Sequence, residues 1–477
     1  MTSRLRLCTA ALFAFFLHPM YSQQVHIHRT TSDLTHTMEP MPDAAFQSSA
    51  AASPLTITVD ETKRYQTMDG FGASVTDGTA WLLAEKIPPQ LRDQIMTQFF
   101  DPSRGIGLSF LRQPIGSSDL SRNHYSFDDL PPGEQDPEMK HFSVRHDDAY
   151  VFPILRQALK LNPAITVMAT PWSPPAWMKT RPTTMNGGAL RDDAMPEYAS
   201  YLVRSLEAFR QEGVPVKYLS VQNEPLHEPY DFPGTLMQAS QATKFIADDL
   251  GPALRHASLS TEILAYDHNW DHPEYPLEVL SDAKAASYVA GSALHCYGGD
   301  VSAQQQIHDR FPEKGIWLTE CAGGTWQQES PLFATAHLLI ETTRLWAKSV
   351  VLWTMVLDTE HNPHAGGCGT CRGLVTVDLH TTPPQTTYNG DFYALGHASK
   401  YVRPGATRID STSFGRQSLE SVAFQNTDGS IALLVLNNRH EPAEFTLRWH
   451  GRELHTTLSP ESLATYTWQV QPLRSGN

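Results

Sequence analysis

Residues 219–225 read LSVQNEP. Leu219 and Val221 alternate with Ser220 and Gln222, Tyr218 precedes them, and the run stops at Asn223-Glu224-Pro225. Alternation of this kind marks a strand with one face in a core, and the proline disfavours helix at the residue before it. A buried strand therefore ends in an amide and a carboxylate. Residues 315–320, GIWLTE, repeat the arrangement, with an apolar run that ends on Glu320 ahead of Cys321-Ala322-Gly323-Gly324. Two glutamates at strand ends suggest a general acid paired with a nucleophile.

Working outward, apolar runs at 68–75, 108–115, 165–170, 218–222, 262–267, 293–297, 316–319 and 350–356 read as strands. Helix-patterned stretches lie between them, the clearer ones at 89–100, 147–161, 193–212, 235–250 and 331–347. Asp147 and Asp193 are expected as N-caps, and Gly213 and Gly251 as stops. Eight strands alternating with helices predict an α/β fold, a (β/α)8 TIM barrel over 66–400. An open doubly wound sheet is the rival. No strand is followed by GxGxxG, and every chemically loaded residue lies at the C-terminal end of a strand, where a barrel forms one rim. Past residue 401, short runs at 406–409, 419–425, 430–437, 443–449, 453–458 and 465–470 predict a C-terminal antiparallel β-sandwich over 401–477. Residues 54–65 contain the alternating LTITV and are expected to join that sandwich.

The chain has 477 residues and a formal net charge of −15. That length suits one large domain plus a smaller one, and the charge argues against nucleic acid as a partner. Residues 1–22 have a basic start, an apolar run at 7–17 and a small residue at Ser22, the pattern of a signal peptide. That run is too short to span a bilayer, and no other stretch approaches the roughly 18 apolar residues of a transmembrane segment. A secreted or periplasmic location is expected. Residues 23–53, rich in Ser, Thr, His, Ala and Pro without periodicity, are expected to be a disordered tether. Cys296 and Cys321 each sit in a candidate strand and read as core residues. Cys368 and Cys371 form a lone CGTC, which cannot supply the four ligands of a zinc ribbon; in an oxidising compartment it reads as a small disulfide. His361-Asn362-Pro363-His364 reads as loop, and neither a metal nor a cofactor is expected.

With these features placed, the chain resembles glycoside hydrolase family 30, the family of the glucosylceramidases. The resemblance is carried by DGFGASVTD at 69–77, LRQPIGSSDLS at 111–121, ATPWSPPAWMK at 169–179, the QNEP turn, ALHCY at 293–297, LTECAG at 318–323, WTMVLD at 353–358 and FYALGHASKYVRPG at 392–405. It implies that Glu224 is the acid/base, with a pKa raised by burial and by the second carboxylate, and that Glu320 is an ionised nucleophile. It implies that Arg112 and Tyr297 hold Glu320, and that His295 orients side chains in support of it. It assigns Asn223 to a sugar 2-hydroxyl, Asp119 to further sugar hydroxyls, and Trp172 and Trp353 to the pocket walls. Trp81, Trp326 and Trp177 are weaker candidates, Trp177 as much packing as platform.

The function implied is a secreted retaining β-glycoside hydrolase, glucosylceramidase-like, acting on a β-glucoside, glycolipid or glucan. Endo-β-1,6-glucanase or β-xylosidase activity is the alternative within the family, and a carbohydrate-binding protein on an inactive barrel the alternative outside it. The loop DTEHNPHAGGCGTCRGLVTVD at 358–378 looks closer to microbial members, some of which cleave β-1,6-glucans, than to the lysosomal enzyme. Trp449 and Trp468 are expected in the sandwich core rather than on a glycan.

Overall fold

The computed structural model describes residues 23–48 and 55–470. The signal-peptide reading of 1–22 and the last residues of the sandwich, 471–477, lie outside them. Eight parallel strands close into a barrel in chain order: Gly70–Ser74, Phe110–Ile115, Thr166–Pro171, Tyr218–Ser220, Glu262–Asn269, Val289–His295, Gly315–Glu320 and Ala347–Leu352. Each corresponds to a strand expected from the sequence. The sixth and eighth begin and end earlier than the apolar runs suggested, and 356–358 pairs in a separate small sheet.

The barrel is filled by an apolar layer of Phe110, Met168, Tyr218, Leu264, Ala293, Trp317 and Val351. Asp69 closes it from below, accepting hydrogen bonds from Trp317 Nε1 at 2.7 Å and Tyr218 Oη at 2.8 Å. Side chains repeat every second residue along a strand. One step beyond the apolar layer, the same inward positions become Arg112, Thr170, His295, Thr319 and Trp353. The functional layer is thus the continuation of the core alternation at the C-terminal rim.

The helices follow the expected pattern with local differences. Pro89–Phe100, Met195–Gln211 and Pro331–Arg344 form as read. Asp147 and Asp193 do not cap. Asp147 is buried inside the short helix Arg145–Asp148, where it accepts a hydrogen bond from Tyr125 Oη at 2.8 Å. Asp193 sits in a 3-10 turn paired with Arg191. Gly213 ends its helix with φ +77, as a stop requires. Gly251 does not stop anything: the chain runs through a π-helical turn at Ile246–Leu250 into Gly251–His256. Glycine is needed there for packing, since a Cβ would come within 2.3 Å of the Tyr288 ring.

The second domain is larger than its C-terminal runs. Its sheet has nine strands, ordered Glu39–Ala45, Gln24–Thr31, Ser462–Gln469, Ser430–Asn437, Leu419–Gln425, Thr407–Ser411, Thr56–Thr67, Ala443–Trp449 and Arg452–Leu458. Residues near both ends of that order, Val25 and Phe46 at one and Phe445, Trp449 and Leu454 at the other, bury one core, so the sheet folds over on itself as a sandwich. Trp449 and Trp468 lie in that core. Thr56–Thr67 joins the sandwich as expected, pairing antiparallel with Thr407–Ser411 and parallel with Ala443–Trp449.

The disordered tether is corrected. Residues 24–31 and 39–45 are strands, and the first pairs with Ser462–Gln469 over six residues. Val25 is fully buried and Ile27 nearly so, with His26 and His28 between and beyond them. The histidines hid an ordinary two-residue alternation. Cys296 and Cys321 are also corrected: they form a disulfide rather than separate core positions. Cys368 and Cys371 are bonded as expected.

Candidate active site

A cavity of about 390 Å³ opens at the C-terminal rim of the barrel. Asp119, Trp172, Asn223, Glu224, Tyr297, Glu320 and Trp353 all line it, coming from six different strand ends or the loops that follow them. Arg112 and His295 lie just beneath, fully buried. Every site residue expected from the sequence is therefore in one place.

Arg112 is the hub. Its Nη1 donates to Glu320 Oε2, and its Nη2 donates to Asn223 Oδ1 at 2.6 Å and Asp267 Oδ2 at 2.9 Å. Its guanidinium lies 4.8 Å from the Trp172 ring centre, and Trp172 stacks on Trp353 with centroids 5.1 Å apart. A planar fork between two carboxylates fixes both in orientation as well as charge. Glu320 Oε1 accepts from Tyr297 Oη at 2.8 Å. Asn223 Oδ1 accepts from Arg112, while the amide nitrogen faces no partner among the described residues and is left for a ligand oxygen.

Glu224 sits at φ +46, a turn that follows the strand end at once; its backbone N–H donates to Asp267 O at 3.0 Å. Its Oε1 lies 3.1 Å from His295 Nδ1, and His295 Nε2 lies 3.0 Å from Asp267 Oδ1. The two ring nitrogens of His295 are taken by Glu224 and Asp267, and its support of Glu320 is exerted through charge rather than through a hydrogen bond. Oxygen atoms of Glu224 and Glu320 lie within 4.8 Å of each other. His295 comes within the same distance of both, a spacing compatible with a cation. Within the trio, Glu320 is engaged by Arg112 and Tyr297, and His295 by Glu224 and Asp267.

Asp267 was not legible as a site residue. It is fully buried and also accepts from Thr319 Oγ1 at 2.6 Å and Thr170 Oγ1 at 3.1 Å. Burial opposes its charge, but the Arg112 charge and the His295 bond hold its pKa far below the carboxylate range. It reaches the hub through an irregularity of the fifth strand: the pairing register shifts between Tyr266 and His268, and Tyr266 and Asp267 take φ +80 and +62. A bulge re-aims a side chain in a way no apolar pattern announces.

Burial disfavours charge on His295 too, yet the Glu320 charge and the bonds to Asp267 and Glu224 raise its pKa to about 9. Burial likewise resists charge on Glu224, and the His295 hydrogen bond and charge outweigh it and lower its pKa. This differs from the raised value expected, and both shifts describe one proton on the Glu224–His295 contact. With Nε2–H donated to the ionised Asp267, that proton lies between Glu224 Oε1 and His295 Nδ1 and belongs to the pair rather than to either residue. Burial pushes Glu320 upward, with Glu224 adding to it and His295 and Arg112 opposing. When the shared proton rests on Glu224, the Glu224 and His295 charges disappear together. Burial raises the Glu320 pKa, and Arg112 and Tyr297 are the groups left to favour its ionised form against that burial.

Asp119 is nearly buried, and its pKa is raised to about 7 by burial and by the Glu320 charge. The clipped loop bears on it directly. Cys368 N–H donates to Asp119 Oδ2 at 3.3 Å, and a Cβ at Gly367 would come within 2.4 Å of Asp119 Cβ. One residue earlier, a Cβ at Gly366 would come within 1.9 Å of Asp231 O. Asp231, Phe232, Cys368 and Cys371 complete the wall on that side; the clipped loop was expected to border the site, whereas Asp231 and Phe232 were not read as site residues. Trp326, 52% exposed, lines the mouth. Trp177 is packing, its Nε1 bonded to Asp128 Oδ2 at 2.9 Å, and Trp81 lies outside the cavity between Lys86 and Arg122. His361 and His364 are loop residues bonded to the carbonyls of Cys371 and Gly366.

The sequence profile of the glycosyl hydrolase family 30 TIM-barrel domain matches residues 68–402, and that of the family 30 beta sandwich domain matches 405–466. The chain belongs to glycoside hydrolase family 30. Among its family 30 relatives, an endo-1,6-beta-D-glucanase of Neurospora crassa is 34% identical over 85% of this chain and 84% of its own. The lysosomal acid glucosylceramidase of Mus musculus is 28% identical over 90% of this chain and 86% of its own. Among solved structures, the endo-beta1,6-glucanase BT3312 superposes with a TM-score of 0.86 at 32% identity, covering 94% of this chain and all of that one. The matched barrel region begins at Met68, next to the first barrel strand, and thus leaves the three N-terminal sandwich strands outside it.

Proposed function

We propose that this family 30 hydrolase is a retaining endo-β-1,6-glucanase with Glu320 as nucleophile and Glu224 as acid/base. The observation that carries the mechanism is the spacing of the two carboxylates, with oxygens within 4.8 Å of one another. Retaining enzymes keep the pair about 5–5.5 Å apart, whereas inverting enzymes open it to about 6.5–9.5 Å to seat a water. In the first step Glu320 attacks the anomeric carbon while the proton on the Glu224–His295 contact passes to the departing glycosidic oxygen. In the second step Glu224 takes a proton from water, which displaces Glu320. Asp119 and the free amide of Asn223 hold the sugar hydroxyls, and Trp172 and Trp353 close the walls.

Two observations support glucan over glucosylceramide as substrate. The relatives named above include β-1,6-glucanases at higher identity than the mouse glucosylceramidase. The loop closed by the Cys368–Cys371 clip lies against Asp119 and Asp231 as one wall of the cavity, and its resemblance to microbial family members favours a glucan there. The glucosylceramidase-like reading keeps a specific basis, a 32% identical putative glucosylceramidase of Caenorhabditis elegans over 87% of this chain. Purified enzyme given a β-1,6-glucan and glucosylceramide in parallel decides between them. Oligosaccharides from the glucan and no action on the lipid are expected; glucose released from the lipid alone would reverse the assignment. Secretion belongs to the same proposal, supported by the signal-like residues 1–22 and by two disulfides, which persist in oxidising compartments.

A further inference from the structure

We propose that the Cys296–Cys321 disulfide is a positioning element for hydrolysis: it holds Tyr297 against Glu320 where the strand ladder between them has ended. The proposal rests on Glu320 being the nucleophile. Cys296 stands between His295 and Tyr297, and Cys321 directly follows Glu320, so the bridge joins the two chain segments that carry reacting or contacting groups.

The sixth and seventh barrel strands pair regularly from Gly291 opposite Gly315 to Leu294 opposite Leu318. The register then slips, leaving Glu320 opposite His295, and no ladder pair beyond that point joins the two strands among the described residues. The slip is what turns Glu320 toward Arg112, out of the simple alternation that sends Thr319 inward. It also removes the main-chain bonds that would fix residue 297 relative to residue 320. Tyr297 is 44% exposed, so burial does not lock it. Its backbone N–H donates to Asn269 Oδ1 at 3.1 Å, a bond to the fifth strand and not to the seventh. Cys321 is tied to the opposite neighbour, its carbonyl accepting from Trp353 N–H at 2.9 Å. The covalent bridge, with Cα atoms 5.4 Å apart, is the link that closes the gap between these two anchored segments. Without it, the hydroxyl of a partly exposed tyrosine must find Glu320 Oε1 in competition with water.

The groups facing Glu320 are Arg112 from the second strand, Glu224 after the fourth, His295 and Tyr297 from the sixth, and Asp119 from the loop after the second. Tyr297 is the donor among them whose placement depends on the bridge. Losing a donor to a carboxylate raises its pKa, so the acid limb of the pH profile should move to higher pH.

The test is a double-mutant cycle on kcat/KM with the glucan or an aryl β-glucoside. Cys296→Ser/Cys321→Ser is expected to lower kcat/KM about tenfold and to raise the acid limb, as loss of one hydrogen bond to a charged group does. Tyr297→Phe should cost a similar factor in the bridged enzyme and less than about twofold in the unbridged one, because both changes remove one interaction. An unbridged variant with the wild-type profile, or a Tyr297→Phe effect undiminished by loss of the bridge, would overturn the proposal. Should the unbridged variant fail to fold, the second measurement uses a Cys368→Ser/Cys371→Ser background, compared with itself before and after dithiothreitol. The reagent reduces the remaining disulfide to two thiols and closes to its own cyclic disulfide. Loss of activity with unchanged far-ultraviolet dichroism is expected; full activity after reduction, or unfolding, would count against a local positioning role. Glu320→Gln run alongside keeps the readings apart: an active Glu320→Gln enzyme rejects the nucleophile assignment whatever the bridge does.

Discussion

Asp267 shows how much of the site rests on residues that touch no substrate. It ties together Arg112, His295, Thr170 and Thr319, and so sets the geometry of both glutamates at once. Asp267→Asn removes the charge that helps hold a proton on the Glu224–His295 pair. The pKa of His295, about 9, should fall, and the alkaline limb of kcat/KM should move to lower pH, since a positive charge loses stabilisation when its carboxylate partner is neutralised. A loss of about 100-fold in kcat/KM accompanies it, in line with breaking a buried charge network. An unchanged alkaline limb in a pH–rate profile would show that Asp267 is structural only. At this scale the sequence exposed the residues that end apolar runs: Glu224, Glu320, Asn223 and Trp353. It hid Asp267, a residue that a bulge aims from within a strand.

The clipped loop and the N-terminal strands are the elements whose part differs most from a reading of composition. Gly366 and Gly367 let the loop backbone lie against Asp231 and Asp119 closer than any Cβ permits. Gly367→Ala should therefore displace Asp119 and raise KM for the glucan about tenfold with a smaller change in kcat, because the affected contact binds ground and transition states alike. Steady-state kinetics with glucan and with an aryl β-glucoside check it, and equal effects on kcat alone would argue otherwise. The strand Gln24–Thr31 was invisible because histidines fill its polar positions and the apolar set is only Val25 and Ile27. Its partner strand Ser462–Gln469, at the other end of the sequence, supplies the reason it forms at all. Val25→Asp buries a carboxylate without a partner and should cost about 3–5 kcal/mol, read from denaturant unfolding. A change below about 0.5 kcal/mol, as at exposed positions, would mean the strand is not part of the folded domain.

Across the whole molecule, barrel and sandwich share one boundary built from a strand buried on both faces. In Ser430–Asn437, Ile431, Leu433 and Val435 enter the sandwich core, while Ala432, Leu434 and Leu436 enter the core of the barrel domain. Polar contacts reinforce the boundary: Arg344 Nη1 donates to the carbonyls of Ser411 and Ser421, each at 3.0 Å, and His397 bonds Thr30 and Thr465. The two domains should unfold in a single calorimetric transition, and Leu434→Ala should lower that one transition at a cost of about 2–5 kcal/mol. Two resolved transitions, only one of them moved by the substitution, would contradict this coupling. Eight strand–helix alternations made the barrel legible, because each strand's inner face is fixed by its own apolar run. The full sandwich was not, because its nine strands draw on both ends of the chain, and pairing across that distance leaves no local trace.

The claim that unites these scales is a retaining cleavage of β-1,6-glucan at the Glu224–Glu320 pair. Proton nuclear magnetic resonance of the glucan during the first minutes of digestion tests it most directly. New reducing ends on oligosaccharides should appear in the β configuration and relax to the equilibrium mixture only later, and Glu320→Gln should produce none. New ends that appear first as α, or a glucan left intact by an enzyme that turns over an aryl β-glucoside, would contradict it.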